Sequence, residues 1–554
     1  PAGRKIRMKK NRSFEFSGRI RAGNTILYGD SSYFDYASFS ISLPSVDSMR
    51  FYLPVYDNKQ NKRYYRPVKT VLEDLSGKLR IDQPNNKSGT KTTLRYPILQ
   101  TDGESFAYYD KYAKYKSVYD RESFKYHVKP FTIDSLDNYY PESISFDGYL
   151  ESNIFPDIPE KLTVQRDFSL GFQTKVSDSG ITAYKGKGTY YDSLKLSNQG
   201  LIGGGRLDYL SSTSDADQVI FFPDSAKGMV EAFHLEEQSE GVEYPLVDAD
   251  TANMRWLPKA DSMVISDTRV PFSMYKDEVN LKGSLALTPE ALRGEGRATY
   301  NNAVIQSGDF SFMYRDMASE SGDIVIHTPE SNQKALEITN YSSEISIDDK
   351  SATFDQNKEG SLIKFPYNSY ISYLDHIDWD VSGDLLELTA TKMQNSTMLD
   401  TLSLREIIDV ELSGARFVST NPEQDSISFY AFKAKYDLQN SIIEAEQVKY
   451  INVADAAIFP ENEILKIGRN ASIKVLDNAR IIATREDKAH FIDSARVDIK
   501  TRHSYFASGN YHYFDEHAML KNIRFDSIWV SKGDITRGFT TVSDSDKFPV
   551  SPYF

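Results

Sequence analysis

The chain has 554 residues, 40% hydrophobic and 26% charged, with a net charge of −14 and no cysteine. The missing cysteines exclude disulfides, thiolate metal sites and a cysteine nucleophile, and the acidic balance argues against a nucleic-acid partner, because phosphate binding needs clustered Lys and Arg. No apolar run approaches the roughly 18 residues that a membrane-spanning helix needs, so no transmembrane helix is expected.

A chain of this length exceeds what one hydrophobic core serves, so two to four domains or a repeat array are expected. The absence of cysteine suits an exported bacterial protein, which would otherwise risk stray oxidation. The chain begins at Pro1 rather than Met and reads as a mature or excised segment of a longer protein. Tyr (36) and Phe (31) are abundant, and turn residues recur about every ten positions. That is the pattern of many short strands.

In chain order, the basic run Arg4–Arg12 reads as a solvated terminal arm. Phe39, Ile41 and Leu43 alternate with serines, which predicts a half-buried strand. FSGRI at Phe16–Ile20 is echoed by FDGYL at Phe146–Leu150, and a Tyr/Lys-rich stretch fills Tyr108–Tyr140. We place a first module at 1–140, a duplicated module at 141–330 and a third region at 331–554.

The duplication is explicit. Leu194–Tyr209, LKLSNQGLIGGGRLDY, returns as Leu285–Tyr300, LALTPEALRGEGRATY. Two leucines two apart share one strand face, and the G-x-G that follows predicts a bend into the next strand at a repeat junction. Gly203/Gly205 and Gly294/Gly296 are therefore expected at equivalent places in two similar modules. A dinucleotide loop would need a third glycine and a following helix, and neither copy has them. Two short segments are helix candidates, Lys227–Gln238 and Leu402–Val410. In the last third, Ala431, Ala456 and Ala479 follow at intervals of 25 and 23 residues, and Ala471 and Ala495 lie 24 apart. Ala471/Ile473/Val475 and Ala495/Val497/Ile499 each begin an alternating pattern. Near-constant spacing predicts an all-β, elongated β-solenoid or open β-roll, with stacked β-sandwich modules as the competing arrangement.

Chemistry-bearing residues are sparse. Alternation puts His376, Asp378 and Asp380 on one strand face, a candidate metal or proton-transfer patch whose alternative is a solvent face with Ile377 and Trp379 inward. His503, His512, Asp515, Glu516 and His517 are ligand types without a helical metal-site spacing. No nucleophile elbow, phosphate loop or complete catalytic set is present, and no motif calls for a cofactor.

The tripeptide Asp-Ser/Thr-hydrophobic (or Thr) centres on Ser48, Ser135, Ser193, Ser225, Thr251, Ser262, Thr401, Ser426, Ser494 and Ser527, against about three from composition. It resembles the O-glycosylation signal of exported Bacteroidota proteins. Its structural alternative is that Asp-Ser starts turns and ends strands. At Tyr184–Ser225 and Leu281–Tyr300 the chain resembles large cell-envelope proteins of Bacteroidota. That resemblance covers roughly 180–330 and part of 440–515, and it implies a periplasmic, outer-membrane or cell-surface location with other envelope proteins as partners. The alanine-led segments of 431–513 are similar in architecture to the β-jellyroll modules of lipopolysaccharide-transport proteins.

The leading expectation is a non-enzymatic scaffold or interaction segment. A lipid or lipopolysaccharide conduit is the first alternative. A carbohydrate-binding or carbohydrate-active β-helix protein is the second.

Overall fold

The computed structural model describes residues 6–57, 62–111, 118–358, 360–391, 402–514 and 519–541. Every strand pairing recorded among them is antiparallel, so the chain is all-β in the meander sense: each strand bonds mainly to its sequence neighbour. Parallel solenoid rungs are not what the repeat builds. The chain divides into two compact units, Pro1–Glu236 with Asp248–Val270 and Ala286–Glu290, and Glu237–Val247 with Pro271–Leu285 and Ala291–Phe554.

The first unit begins with an eleven-stranded sheet. The terminal arm is not free in solution. Its strand Ile6–Met8 pairs with Phe14–Phe16, and Arg7 and Lys9 both reach Glu15, at 3.5 and 2.7 Å. The long strand Ser40–Asp57 carries Met49, Phe51 and Leu53 fully buried. Ile41 and Leu43 point inward as their alternation requires, whereas Phe39 sits in the preceding turn at a φ of 53°. The Tyr-rich stretch ties this sheet to later strands of the same unit. The buried Tyr109 hydroxyl donates to the Leu170 carbonyl (3.0 Å), and Tyr119 donates to Phe221 (2.7 Å).

The duplicated stretch is part of a longer structural repeat. Ile181–Ala183, Gly200–Tyr209, Ser212–Phe222 and Ser225–Leu235 in the first unit recur as Phe272–Met274, Leu292–Tyr300, Ala303–Phe312 and Asp316–His327 in the second. The registers match at an offset of 91 residues: Leu201 faces Phe221 as Leu292 faces Phe312, and Tyr209 faces Ser212 as Tyr300 faces Ala303. A following hairpin recurs too, with Leu257 opposite Ser262 and Ser346 opposite Ser351.

The glycines occupy equivalent places, but they are not the turn. The hairpin bend in the first copy lies at Asn198–Gln199. Gly203–Gly205 and Gly294–Gly296 sit inside the next strand, where each pairing slips by one residue. They lie opposite a β-bulge, whose extra residue is on the partner strand and which bends that strand and increases its twist.

The helix candidates part ways. Leu404–Ile407 is helical, opened by a capping box in which Ser403 and Glu406 bond reciprocally. Lys227–Gln238 instead falls largely on the strand Ser225–Leu235. Of the periodic alanines, Ala431, Ala456, Ala479 and Ala495 are fully buried on strands, and Ala479 pairs directly with Ala495. They are small residues at close cross-strand contacts rather than a stacked ladder. Ala495, Val497 and Ile499 alternate inward along His490–Thr501 as expected. Ala471 ends a 3-10 turn at a φ of 62°, and Val475 is exposed, so no strand starts there.

Candidate functional site

His376, Asp378 and Asp380 share the outward face of the strand His376–Asp380, with Ile377 and Trp379 buried behind them. The His376 ring is bracketed: Nδ1 lies 2.7 Å from Asp355 Oδ1, and Nε2 lies 3.0 Å from Asp378 Oδ2. Asp355 comes from the paired strand Ser351–Gln356, where it stands opposite His376. Asp380 turns away and accepts from Ser382 Oγ and the Gly383 N–H at 2.7 and 3.0 Å. Both ring nitrogens are therefore engaged by carboxylates. No group of three or more His, Asp and Glu side chains among the described residues is arranged to hold a metal ion.

The bracket has a pH signature. Partial burial opposes charging of His376, but the Asp355 hydrogen bond and the fields of Asp378 and Asp355 outweigh it and raise the imidazole's affinity for its proton. A raised folded pKa gives stabilisation that is complete below the unfolded value, about 6.5, and is lost as pH rises through the folded value. His376→Gln is expected to flatten that part of the stability curve while leaving the alkaline end near wild type. Urea midpoints across the range check it, and a wild-type curve that His376→Gln reproduces throughout refutes it.

The motif recurs with other histidines. His127 meets Glu151 at 2.6 Å and Glu104 at 3.4 Å. His503 meets Asp425 at 2.8 Å and Asp534 at 2.7 Å, and His512 meets Asp493 at 2.7 Å. His503 and His512 thus lie in separate pairs. Asp515, Glu516 and His517 lie outside the described residues.

Among the hydroxyls in Asp-Ser/Thr tripeptides, Ser426, Ser494 and Ser527 are exposed, while Ser48, Ser135, Ser193, Ser225, Thr251 and Ser262 are half-buried. Ser135, Thr251, Ser426 and Ser494 have positive φ, the backbone of turns and bulges. Thr401 lies outside the described residues.

Three clefts stand out. In the first unit, Tyr184, Lys185, Lys187 and Lys259 line about 530 Å3, with Lys187 paired to Asp261 at 2.8 Å. In the second unit, Ile492, Tyr511, Phe525 and Ile528 surround an apolar cavity of about 250 Å3. A polar cleft of about 550 Å3 in the same unit gathers Arg416, Arg485 and Arg502. Sequence reasoning missed this last group, because its members come from one strand and two separate turns and form no local pattern. No known protein family, no curated protein and no solved structure matches this chain.

Proposed function

We propose that the chain is a non-enzymatic interaction segment of an exported bacterial envelope protein, working at the periplasm, outer membrane or cell surface. The observation that carries this reading is the far end of the C-terminal sheet, which runs from Ile451–Val453 to Ile535–Phe539. Its early strands are buried on both faces, as in Ala456–Phe459. Its last three strands, Ser504–Phe514, Leu520–Ser531 and Ile535–Phe539, carry apolar side chains on both faces. Phe506 stands opposite Trp529, with Phe539 on the same face; Phe506 and Phe539 are 55% and 63% exposed. Tyr511, Ile523 and Phe525, on the other face, are half-buried. Clustered exposed aromatics mark contact surfaces. Among the described residues Ile535–Phe539 also ends the sheet, and an edge strand offers unpaired N–H and C=O groups to an added strand.

Crosslinking from a photoreactive residue at position 506, in fractionated cells, tests the reading. A defined envelope protein joined at this face, and lost on Phe539→Asp, is the expected result. Recovery of the chain in the cytosol, or crosslinks indifferent to Phe539→Asp, overturns it. On this reading the exposed Ser426, Ser494 and Ser527 are the acceptors for O-glycans. The apolar cavity around Ile492, Phe525 and Ile528 favours a second reading, an acyl-chain site of a lipid conduit. Purification of the chain free of lipid from its own membranes excludes that.

A further inference from the structure

Three arginines line one cleft in the second unit where no motif announces them. Arg416 stands on the strand Ala415–Ser419, Arg485 follows the strand Leu476–Ala483, and Arg502 follows the strand His490–Thr501. They line the cleft of about 550 Å3 together with Tyr430, Tyr450 and Asn452.

The backbones that present them are fixed. The Arg485 N–H donates to the Asp455 carbonyl at 2.8 Å. The Arg502 N–H donates to Gln424 at 3.1 Å, and its carbonyl accepts from Ala454 at 2.8 Å. The Asp455 carboxylate in turn accepts the Thr536 N–H at 3.1 Å. The side chains are less committed. Arg416 donates to Ser428 Oγ at 3.2 Å, but neither Arg485 nor Arg502 has an ion pair or side-chain hydrogen bond among the described residues. This happens in a chain with 79 acidic and 65 basic residues, where carboxylate partners are in surplus. The acids nearest the His503 end, Asp425 and Asp534, are both bonded to that imidazole. Glu411 is the remaining carboxylate of the lining, and it is exposed.

A guanidinium is always charged and offers a planar fork of donors that matches phosphate bidentately. Guanidiniums without a carboxylate partner on anchored backbone are available to an oxyanion, since no existing ion pair has to be broken for it to bind. The cleft is also larger than one phosphate needs. It falls within the roughly 300–1,000 Å3 typical of small-molecule sites, and Tyr430 and Asn452 supply a ring face, a hydroxyl and an amide that hold a sugar. The geometry points to a binding site for a phosphorylated sugar, with Arg485 and Arg502 on the phosphate and Tyr430 and Asn452 on the ring. This site is independent of the apolar sheet end and stands if that interaction reading falls.

Titration calorimetry of the full chain with glucose 1-phosphate, glucose and inorganic phosphate tests it. Saturable binding of glucose 1-phosphate is expected, tighter than either fragment and weakened about tenfold or more by Arg485→Ala with Arg502→Ala. It is also expected to weaken with added salt, as charge pairing requires. No saturable binding, affinity unchanged in the double variant, or glucose alone binding equally well overturns the site. Inorganic phosphate binding as tightly as glucose 1-phosphate overturns the assignment to a sugar. If the double variant fails to fold, Arg416→Ala and the salt dependence of the wild-type chain carry the same decision: salt-independent affinity overturns the site.

Discussion

Gly205→Ala and Gly296→Ala are each expected to destabilise their unit by about 2–4 kcal/mol. Gly205 has a φ of 142° and Gly296 a φ of 129°, conformations that a side chain adopts only at a cost. Space is lacking as well. A Cβ on Gly205 would sit 2.4 Å from the Tyr191 carbonyl oxygen, and one on Gly296 2.3 Å from that of Lys282. Both obstacles are backbone, which cannot rotate aside as a side-chain end can. Gly186→Ala separates the two causes. Its φ is 90°, but nothing lies within 4 Å of the added carbon, so only the conformational cost of about 1 kcal/mol applies. Denaturant titration of the three variants is the measurement. If Gly205→Ala and Gly296→Ala cost no more than Gly186→Ala, the bulge does not need glycine.

That repeat was also the most legible feature of the sequence. Leu194 and Leu196 predict a buried strand face, and both are buried. The constant offset to Leu285 and Leu287 predicts a second module, and the strand registers confirm it. The glycines stand at equivalent places but opposite a bulge rather than at the turn, because a positive φ and a close backbone approach ask for the same residue as a bend does. MVEAFHLEEQ misled for a physical reason. Val230, Phe233 and Leu235 are its buried apolar residues, and the three-residue step from Val230 to Phe233 imitates a helix. In the strand, the pairing skips Val230 and Glu231 between Met229–Gln218 and Ala232–Asp215, and this irregularity resets the alternation. The short helix was legible because its signal is local, a Ser403–Glu406 capping box. The arginine cleft was not, because Arg416 stands on a paired strand while Arg485 and Arg502 sit in turns fixed by long-range backbone hydrogen bonds, and only the tertiary fold puts the three in one lining.

The repeat also predicts where a single hydroxyl matters. Tyr184 and Tyr275 are 91 residues apart, both buried, and both hold a left-handed backbone with φ of 46° and 53°. The Tyr184 hydroxyl lies 2.8 Å from the Phe222 carbonyl and 2.7 Å from that of Ser225, the two ends of one hairpin turn. The Tyr275 hydroxyl lies 3.1 Å from Met313 O and 2.8 Å from Asp316 O, the ends of the corresponding turn. Burial pushes both phenols well above their ordinary pKa, so each keeps its proton and remains a donor. Phenylalanine would preserve the ring and take this donor from both carbonyls, of which that of Asp316 keeps the Met313 N–H, a loss of about 0.5–1.5 kcal/mol. Tyr184→Phe and Tyr275→Phe are therefore each expected to lower stability by that amount and to speed amide exchange around Ser225 and Asp316, respectively. Tyr28→Phe, at an exposed position, supplies the baseline for losing a hydroxyl in water. Loss of stability without faster exchange at the matching turn would place the hydroxyl's contribution in the core rather than at the hairpin. Effects no larger than that of Tyr28→Phe would mean that the tyrosine serves only as packing, and that the two copies share a shape without sharing this brace.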